Sequence, residues 1–441
     1  MELMLALQEY IIQHFFKHAS LSSSDDFQME FVCRSAAGVF FVVRRGNDVR
    51  AIRTDCHDQM EFTEWPFASI SKPVVSMIAS RLHQERVLDL DQPLVAALNI
   101  SKDRIICESL QKVTIRHLLS HCSGLPKEVN DDVWAKLNFP NKDELVQRFC
   151  KTVPKHEPGK KILYSNFAFA LGAFAIEFLT QKKISAHWLA LSCSDENLKK
   201  ITFRENLQFS SIVHNVLRER QLQLQAYGPA GGVVASSFSL AYFMEHVMTE
   251  EARKLPVESE SNHTRLAIDR ENALIDEEIG DKVGLLWHYK TLQHIDSAAI
   301  YHTGTLPGIS SFLIGFPELR LSACCVSNQN IDTKPFIDVL VRDLALLEEW
   351  TRSARAEFSA VYKMPYFDSQ ISVWLTFDKT EIFAIQHLNQ CIKIYLRVPA
   401  SDDVVLHSSS GEKIILRFEE AGKRVWFNEQ CYFKHENWPG F

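Results

Sequence analysis

Apolar runs with strand character stand near the start of the chain, short alternations of apolar and polar positions lie towards its end, and helical spacing lies between. Phe31-Val32-Cys33, the run from Gly38 to Val43 and the run from Val49 to Arg53 predict three strands, and Arg45-Gly46-Asn47-Asp48 a turn. Before them, Leu3, Leu7, Ile11 and Phe15 recur at helical spacing and predict a helix packed on the domain. After Ser69, the positions Val74, Val75, Ile78, Ala79 and Leu82 predict a long helix. Pro73 fits only its first turn, where backbone N–H groups lack internal partners anyway. Residues 127–163 and 185–226 carry mixed helical patterns, and the charged span 250–281 predicts a mobile insertion. Strand character returns at residues 284–289, 298–302, 311–316 and 321–326, and residues 334–350 predict a closing helix. Strands, then helices, then strands predict an α+β domain over residues 1–352, both of whose ends build one sheet.

The last segment differs. Short alternating runs at 372–377, 381–385, 391–396, 413–418 and 424–427 are separated by turns such as Ser409-Ser410-Gly411 and Ala421-Gly422-Lys423. They predict a second domain over 353–441, a small antiparallel meander, half-barrel or barrel. A length of 441 residues accommodates both. The formal charge of −7, with no basic stripe, argues against nucleic acid as a partner. No apolar run is long enough to span a bilayer, and the acidic N-terminal stretch lacks a secretory pattern, so a cytoplasmic protein is expected. The ten cysteines form no Cys-x-x-Cys and read as reduced thiols, several within apolar runs.

Three Ser-x-x-Lys quartets occur, at Ser69–Lys72, Ser109–Lys112 and Ser410–Lys413. Ser410 lies in a polar turn and reads as solvated loop, and Ser109 reads as a connector. Ser69 alone leads into a long helical pattern. There, Ser at i and Lys at i+3 share a helix face, and the helix N-terminus favours developing negative charge. Downstream stand Tyr164-Ser165-Asn166, the only Tyr-x-Asn of the chain, and the triplet His302-Thr303-Gly304.

This ordered set resembles the serine β-lactamase and penicillin-binding protein superfamily, especially its class C-like branch of esterases, D-peptide hydrolases and acyltransferases. The stretch from Val113 to Pro126 is similar to the family's I-T-I-R-H-L-L-T-H-T-S-G-L-P segment. The stretch from Leu163 to Gly172 is similar to its Y-S-N-x-x-Y-x-L-L-G, and that from Tyr227 to Ser236 to its P-A-G-G-L-x-S-T turn. The stretch from His302 to Gly308 resembles its H-T-G-x-x-P-G strand. The resemblance covers roughly residues 30–350. It implies a β-lactamase/transpeptidase-like fold, an antiparallel sheet flanked by helices plus a helical subdomain, and allows a lipocalin-like domain after it.

For the chemistry, the resemblance implies that Ser69 attacks an acyl carbon and forms an ester, with Lys72 and Tyr164 handling its proton. Asn166 would hold Lys72 or a substrate amide. His302, Thr303 and Gly304 would line the substrate, and the N–H groups of Thr305 and Ser69 would form an oxyanion hole, worth roughly 3–4 kcal/mol per donor. Whether Lys72 or Tyr164 is the base stays open. A free lysine has a pKa of about 10.4, so burial or a neighbouring positive charge must lower it. His302 departs from the lysine of typical penicillin-binding enzymes and titrates near neutrality, which weakens a substrate carboxylate that demands a permanent cation. His117 and His121 lie four apart, but without His-Glu-x-x-His or a third ligand they read as parts of a packing helix. No cofactor and no metal is expected. The expected partner is a small-molecule, ester or peptide substrate, or a carrier protein if the acyl group passes to an amine or alcohol rather than to water. A binding or scaffold protein that keeps the fold without the reaction is the alternative from another class.

Overall fold

In a computed structural model of the protein the described residues are 26–35, 38–45, 48–54, 63–214, 216–253, 274–275, 282–283, 287–291, 298–317 and 321–341, together with eight strands between 359 and 434. The chain divides into two compact units. The larger spans Ser22–Thr291 and Asp296–Lys334, and the smaller takes in Pro335–Phe441. The expected N-terminal helix, most of the 250–281 span and the Ser410 turn lie outside the described residues.

The larger unit contains, in chain order, strands β1 (Gln28–Ser35), β2 (Gly38–Arg45), β3 (Asp48–Thr54), β4 (Trp65–Pro66), β5 (Thr202–Phe203), β6 (Asn206–Val213), β7 (Val216–Gln223), β8 (Val233–Ala235), β9 (Leu274–Ile275), β10 (Lys282–Val283), β11 (His288–Thr291), β12 (Ala298–Leu306), β13 (Ile309–Phe316) and β14 (Leu321–Ser327). Nine of them form one sheet in the order β3-β2-β1-β14-β13-β12-β11-β10-β9. The two ends of the unit meet where β1 runs antiparallel to β14, with Met29 opposite Ser327 and Arg34 opposite Ser322. Every residue of β13 and β14 is buried. That suits their nearly continuous apolar sequence, since a strand covered on both faces needs no polar alternation.

Helices α1 (Ser71–Gln84), α2 (Ile115–Leu119), α3 (Lys142–Cys150), α4 (Asn166–Thr180), α5 (Ile184–Ser192) and α6 (Ser237–Arg253) lie between the sheet's two halves in sequence. Helix α1 buries the periodic positions Val74, Val75, Ile78, Ala79 and Leu82, at roughly 1.5–3 kcal/mol for each large side chain. Helix α4 is apolar almost all round, and residues 166–173 are buried without a break, as a helix inside a core must be. Gly172 lets α4 approach α2: a Cβ there would lie 3.0 Å from Leu119 Cδ2. Helix α6 covers the sheet, and Ser322 Oγ of β14 donates to Ala241 O at 2.9 Å.

One stretch departs from the sequence reading. Residues 185–226 are helical only in their first part, and β6 and β7 then form a two-stranded hairpin with Asn206 opposite Gln223. Its first strand does alternate, with Leu207 and Phe209 buried between exposed Asn206 and Gln208. The second is rich in Arg, Glu and Gln, which favour helix intrinsically. Cross-strand pairing overrides that preference.

The smaller unit holds β15 (Ser359–Lys363), β16 (Gln370–Leu375), β17 (Ile382–His387), β18 (Ile392–Arg397), β19 (Val404–Ser408), β20 (Lys413–Glu419), β21 (Arg424–Phe427) and β22 (Gln430–Lys434). They pair in chain order as a closed antiparallel barrel, with Tyr362 of β15 opposite Lys434 of β22 at the seam. Closure removes the free sheet edges.

Candidate active site

Ser69 sits in the turn that leads into α1 rather than within the helix. Phe67 N–H donates to Val233 O of β8 at 2.9 Å, and the peptide of Ala68 then bends through a left-handed φ of 52°. Ser71 fastens this bend: its Oγ donates to Ala68 O at 2.6 Å and accepts from Val233 N–H at 2.8 Å. Lys72 N–H donates to Ser69 O at 3.0 Å, closing a tight turn at the helix entry. The shared face expected of i and i+3 is therefore achieved by a turn, and Ser69 stays partly exposed. Among the described residues its N–H donates to no protein acceptor.

Two side chains converge on Ser69 Oγ. Lys72 Nζ lies 2.7 Å away, in a hydrogen bond, and Tyr164 OH donates from 2.9 Å. Lys72 is fully buried and also donates to Ala230 O at 3.0 Å. Burial lowers its pKa from 10.5 to about 7; the Glu128 carboxylate opposes this and the Lys127 ammonium adds to it. Tyr164 moves the other way, with burial pushing its phenol well above the usual range. Its position follows from helix α4, which begins two residues later. Ser165 caps that helix, accepting from Ala168 N–H at 2.8 Å and donating to Pro126 O at 2.6 Å.

Asn166 takes a different partner from Lys72. Its Nδ2 donates to Glu128 Oε1 at 2.7 Å, and the same oxygen accepts from Trp134 Nε1 at 2.8 Å. Glu128 is thus a site residue that the sequence reading missed. It belongs to no motif, and the one available signal was an acidic residue two places beyond Leu125-Pro126.

His302, Thr303, Gly304 and Thr305 run along β12. Residues 302–306 pair with β13 on one side, while β11 pairs with β12 only as far as Tyr301. Among the described residues this stretch therefore has an open edge, where every second residue directs backbone N–H and C=O outward. Gly304 brings the strand against the turn that carries Ser69: a Cβ there would fall 2.4 Å from Phe67 O and 2.5 Å from Ser311 Oγ. Thr305 is exposed at the strand's end. His302 is 2 % exposed, and its Nδ1 donates to Thr303 O at 2.6 Å. Burial, helped by nearby His288 and Lys72, holds its pKa well below the ordinary histidine value. The expected titration near neutrality is thereby displaced.

His117 and His121 serve separately. His117 completes the cap of α2, exchanging hydrogen bonds with Thr114. Among the described residues, no group of three or more His, Cys, Asp or Glu side chains is placed to hold a metal ion. The remaining Ser-x-x-Lys copy at Ser109 lies in a short 3₁₀ helix, Glu108–Lys112.

A family model described as Beta-lactamase matches residues 30–347. The chain belongs to the Beta-lactamase family. Members of this family are serine hydrolases. The match begins within β1, runs past β14 and takes in all of the residues converging on Ser69. Among curated relatives, Protein flp of Staphylococcus aureus (strain MW2) is 23% identical over 287 residues, which is 62% of this chain and 54% of that protein. The chain thus spans about half the length of the curated relatives it matches. Two solved structures share the fold. A D-stereospecific amidohydrolase from Streptomyces sp. aligns with a TM-score of 0.57 at 17% identity, over 76% of this chain and 97% of that one. A D-amino acid amidase from Ochrobactrum anthropi SV3, complexed with L-phenylalanine amide, aligns with a TM-score of 0.56 at 17% identity, over 80% and 100%. Among the described residues no helix is long and apolar enough to cross a membrane.

Proposed function

We propose that the protein is a serine hydrolase that opens an ester or amide bond through an acyl-Ser69 intermediate. One observation carries this reading: Ser69 Oγ lies within hydrogen-bond reach of both Lys72 Nζ and Tyr164 OH, and that lysine is buried enough to lose its proton near pH 7. In the neutral amine, one N–H donates to Ala230 O while the lone pair takes the Ser69 proton as Oγ attacks. The opposite displacements of the two pKa values favour Lys72 as the base. Tyr164 keeps its proton and donates to Oγ during the attack; the proton that Lys72 has taken then reaches the leaving group through the Tyr164 phenol, which accepts one as it gives one, so Lys72 returns to the neutral amine. The unengaged Ser69 N–H and the open edge at Thr305 supply oxyanion donors, with Gly304 setting their approach.

The substrate reading follows from charge. A neutral, buried His302 offers no permanent cation to a substrate carboxylate, and Glu128 behind Asn166 repels one. Both favour an acyl donor that is neutral or positively charged near the scissile bond, such as an amino-acid amide or ester, over a β-lactam. The amidase activities named for two proteins of this fold are consistent with that class.

The test is treatment with a fluorophosphonate probe, read by intact mass. The wild type is expected to gain one adduct mapped to Ser69, and Ser69→Ala none. Absence of an adduct from the wild type between pH 6 and 9, at about the probe concentrations that label other serine hydrolases, would remove the reading and favour a binding or scaffold protein. Product mass with and without an added amine then separates hydrolysis from acyl transfer.

A further inference from the structure

Tyr164 is held by a residue that the reaction scheme above does not use. His121 is 2 % exposed and sits at a left-handed φ of 58°, a conformation that costs a non-glycine residue on the order of 1 kcal/mol or more. That backbone turn lets one residue grip the tyrosine from both sides. His121 O accepts from Leu163 N–H at 2.7 Å, on the residue before Tyr164. His121 Nδ1 accepts from Ser165 N–H at 3.2 Å, on the residue after it. The imidazole itself lies against the phenol, with ring centroids 4.3 Å apart and planes tilted by 41°. Phe169 stands on the ring as well, at 6.2 Å.

A backbone N–H only donates, so Nδ1 must carry a lone pair and the ring its single proton on Nε2. The imidazolium would set a proton on Nδ1 against a donor. The environment agrees: burial, then the Lys72 and His288 charges, hold His121 well below the ordinary histidine value. The grip and the neutral ring are therefore one arrangement.

We propose that His121 is the positioning residue of Tyr164, clasping the peptides on either side of it so that the phenol meets Ser69 Oγ. This rests on the serine-hydrolase reading for its kinetic consequence, though not for its geometry. His121 touches no reacting atom. It acts through Tyr164, and its effect on rate must vanish when the phenol is absent.

The experiment compares His121→Phe and His121→Asn with the wild type. Phenylalanine keeps a ring against Tyr164 and removes the acceptor for Ser165 N–H. Asparagine places Oδ1 near the position of Nδ1 and tolerates left-handed backbone better than other non-glycine residues. A misplacement of about 1 Å costs up to about 100-fold in rate. His121→Phe is accordingly expected to slow fluorophosphonate labelling of Ser69 by about 10- to 100-fold, and His121→Asn to recover most of that loss. In a Tyr164→Phe background, His121→Phe is expected to add less than about threefold, because contacting residues acting as one unit are not additive. An undiminished labelling rate in folded His121→Phe, or the full penalty repeated in the Tyr164→Phe background, overturns the proposal. If His121→Phe does not fold, His121→Gln, whose acceptor lies one bond further out, takes its place. If the wild type is not labelled at all, the hydrolase reading fails and the clasp is judged by a crystal structure of the variant. A Tyr164 hydroxyl displaced from its 2.9 Å contact with Ser69 Oγ supports the clasp, and one left in place refutes it.

Discussion

Replacing Lys72 by methionine tests the mechanism without any substrate. The side chain is fully buried, and methionine is close to it in length and volume. In the unfolded chain Lys72 has the ordinary pKa of 10.5, and in the fold about 7. Between those values the unfolded state binds one more proton than the folded state, so wild-type stability rises with pH across this window. The penalty is fully present below pH 7 and gone above 10.5. Its size is the displacement multiplied by about 1.4 kcal/mol per unit, on the order of 5 kcal/mol at the acid end. Methionine carries no such term. It loses the hydrogen bonds to Ser69 and Ala230 O, worth roughly 1 kcal/mol each, and their change with protonation is already contained in the lowered pKa. The stability of Lys72→Met minus that of the wild type is therefore expected to fall by about 1.4 kcal/mol per unit from pH 7 towards 10.5, and to flatten below 7. Urea unfolding followed by tryptophan fluorescence at several pH values between 6 and 10 measures it. A difference that stays constant with pH would mean an ordinary ammonium in the fold, and the argument for Lys72 as base would collapse.

Three other outcomes follow from the same geometry. Labelling of Ser69 is expected to rise with pH as Lys72 loses its proton and to level off above about 7; in Glu128→Gln, which removes the charge that raises the Lys72 pKa, a pH–rate profile should show this acid limb at lower pH. Gly304→Ala must push a methyl into Phe67 O, so it is expected to lower stability by roughly 1–3 kcal/mol in thermal melts and to slow labelling out of proportion by shifting the Ser69 turn; normal labelling would show that the strand does not abut the turn. Ser165→Ala removes the α4 cap and its bond to Pro126 O, and is expected to cost about 1 kcal/mol in urea unfolding, with slower labelling because Tyr164 is the adjoining residue.

The legible part of the site was the part held in contiguous motifs. Ser69 with Lys72, and Tyr164 with Asn166, are spaced by local backbone geometry, and the structure brings Ser69, Lys72 and Tyr164 together. The surroundings that tune them come from other segments. Glu128 gains its role by meeting Asn166 across 38 residues, and Ala230 O reaches Lys72 across 158. Neither pairing leaves a pattern along the chain. His121 was visible as half of a histidine pair and within the family-like stretch from Val113 to Pro126, but its clasp depends on a backbone angle that neither pattern shows. In the fold, short apolar or alternating runs bounded by turn residues were readable as strands. The hairpin of β6 and β7 was not, because Arg218, Glu219 and Arg220 carry helix-favouring side chains on a strand stabilised by its neighbour. In the C-terminal barrel, the runs over β16, β17, β18, β20 and β21 were recognised. The first, fifth and last strands, five residues each, were not picked out as separate runs.

The pairing of β1 with β14 also bears on when the site comes into being. The Ser69 turn is made early in synthesis, but Gly304, which seats against it, and β14, which locks the sheet, arrive more than 200 residues later. Contacts so distant in sequence carry a large loop-closure cost and form late in folding. The burial that lowers the Lys72 pKa likewise needs the intervening helices packed. On the mechanism proposed above, a copy truncated after α5 lacks Ala230 O and the Gly304 strand, and with them the packing that would activate Ser69.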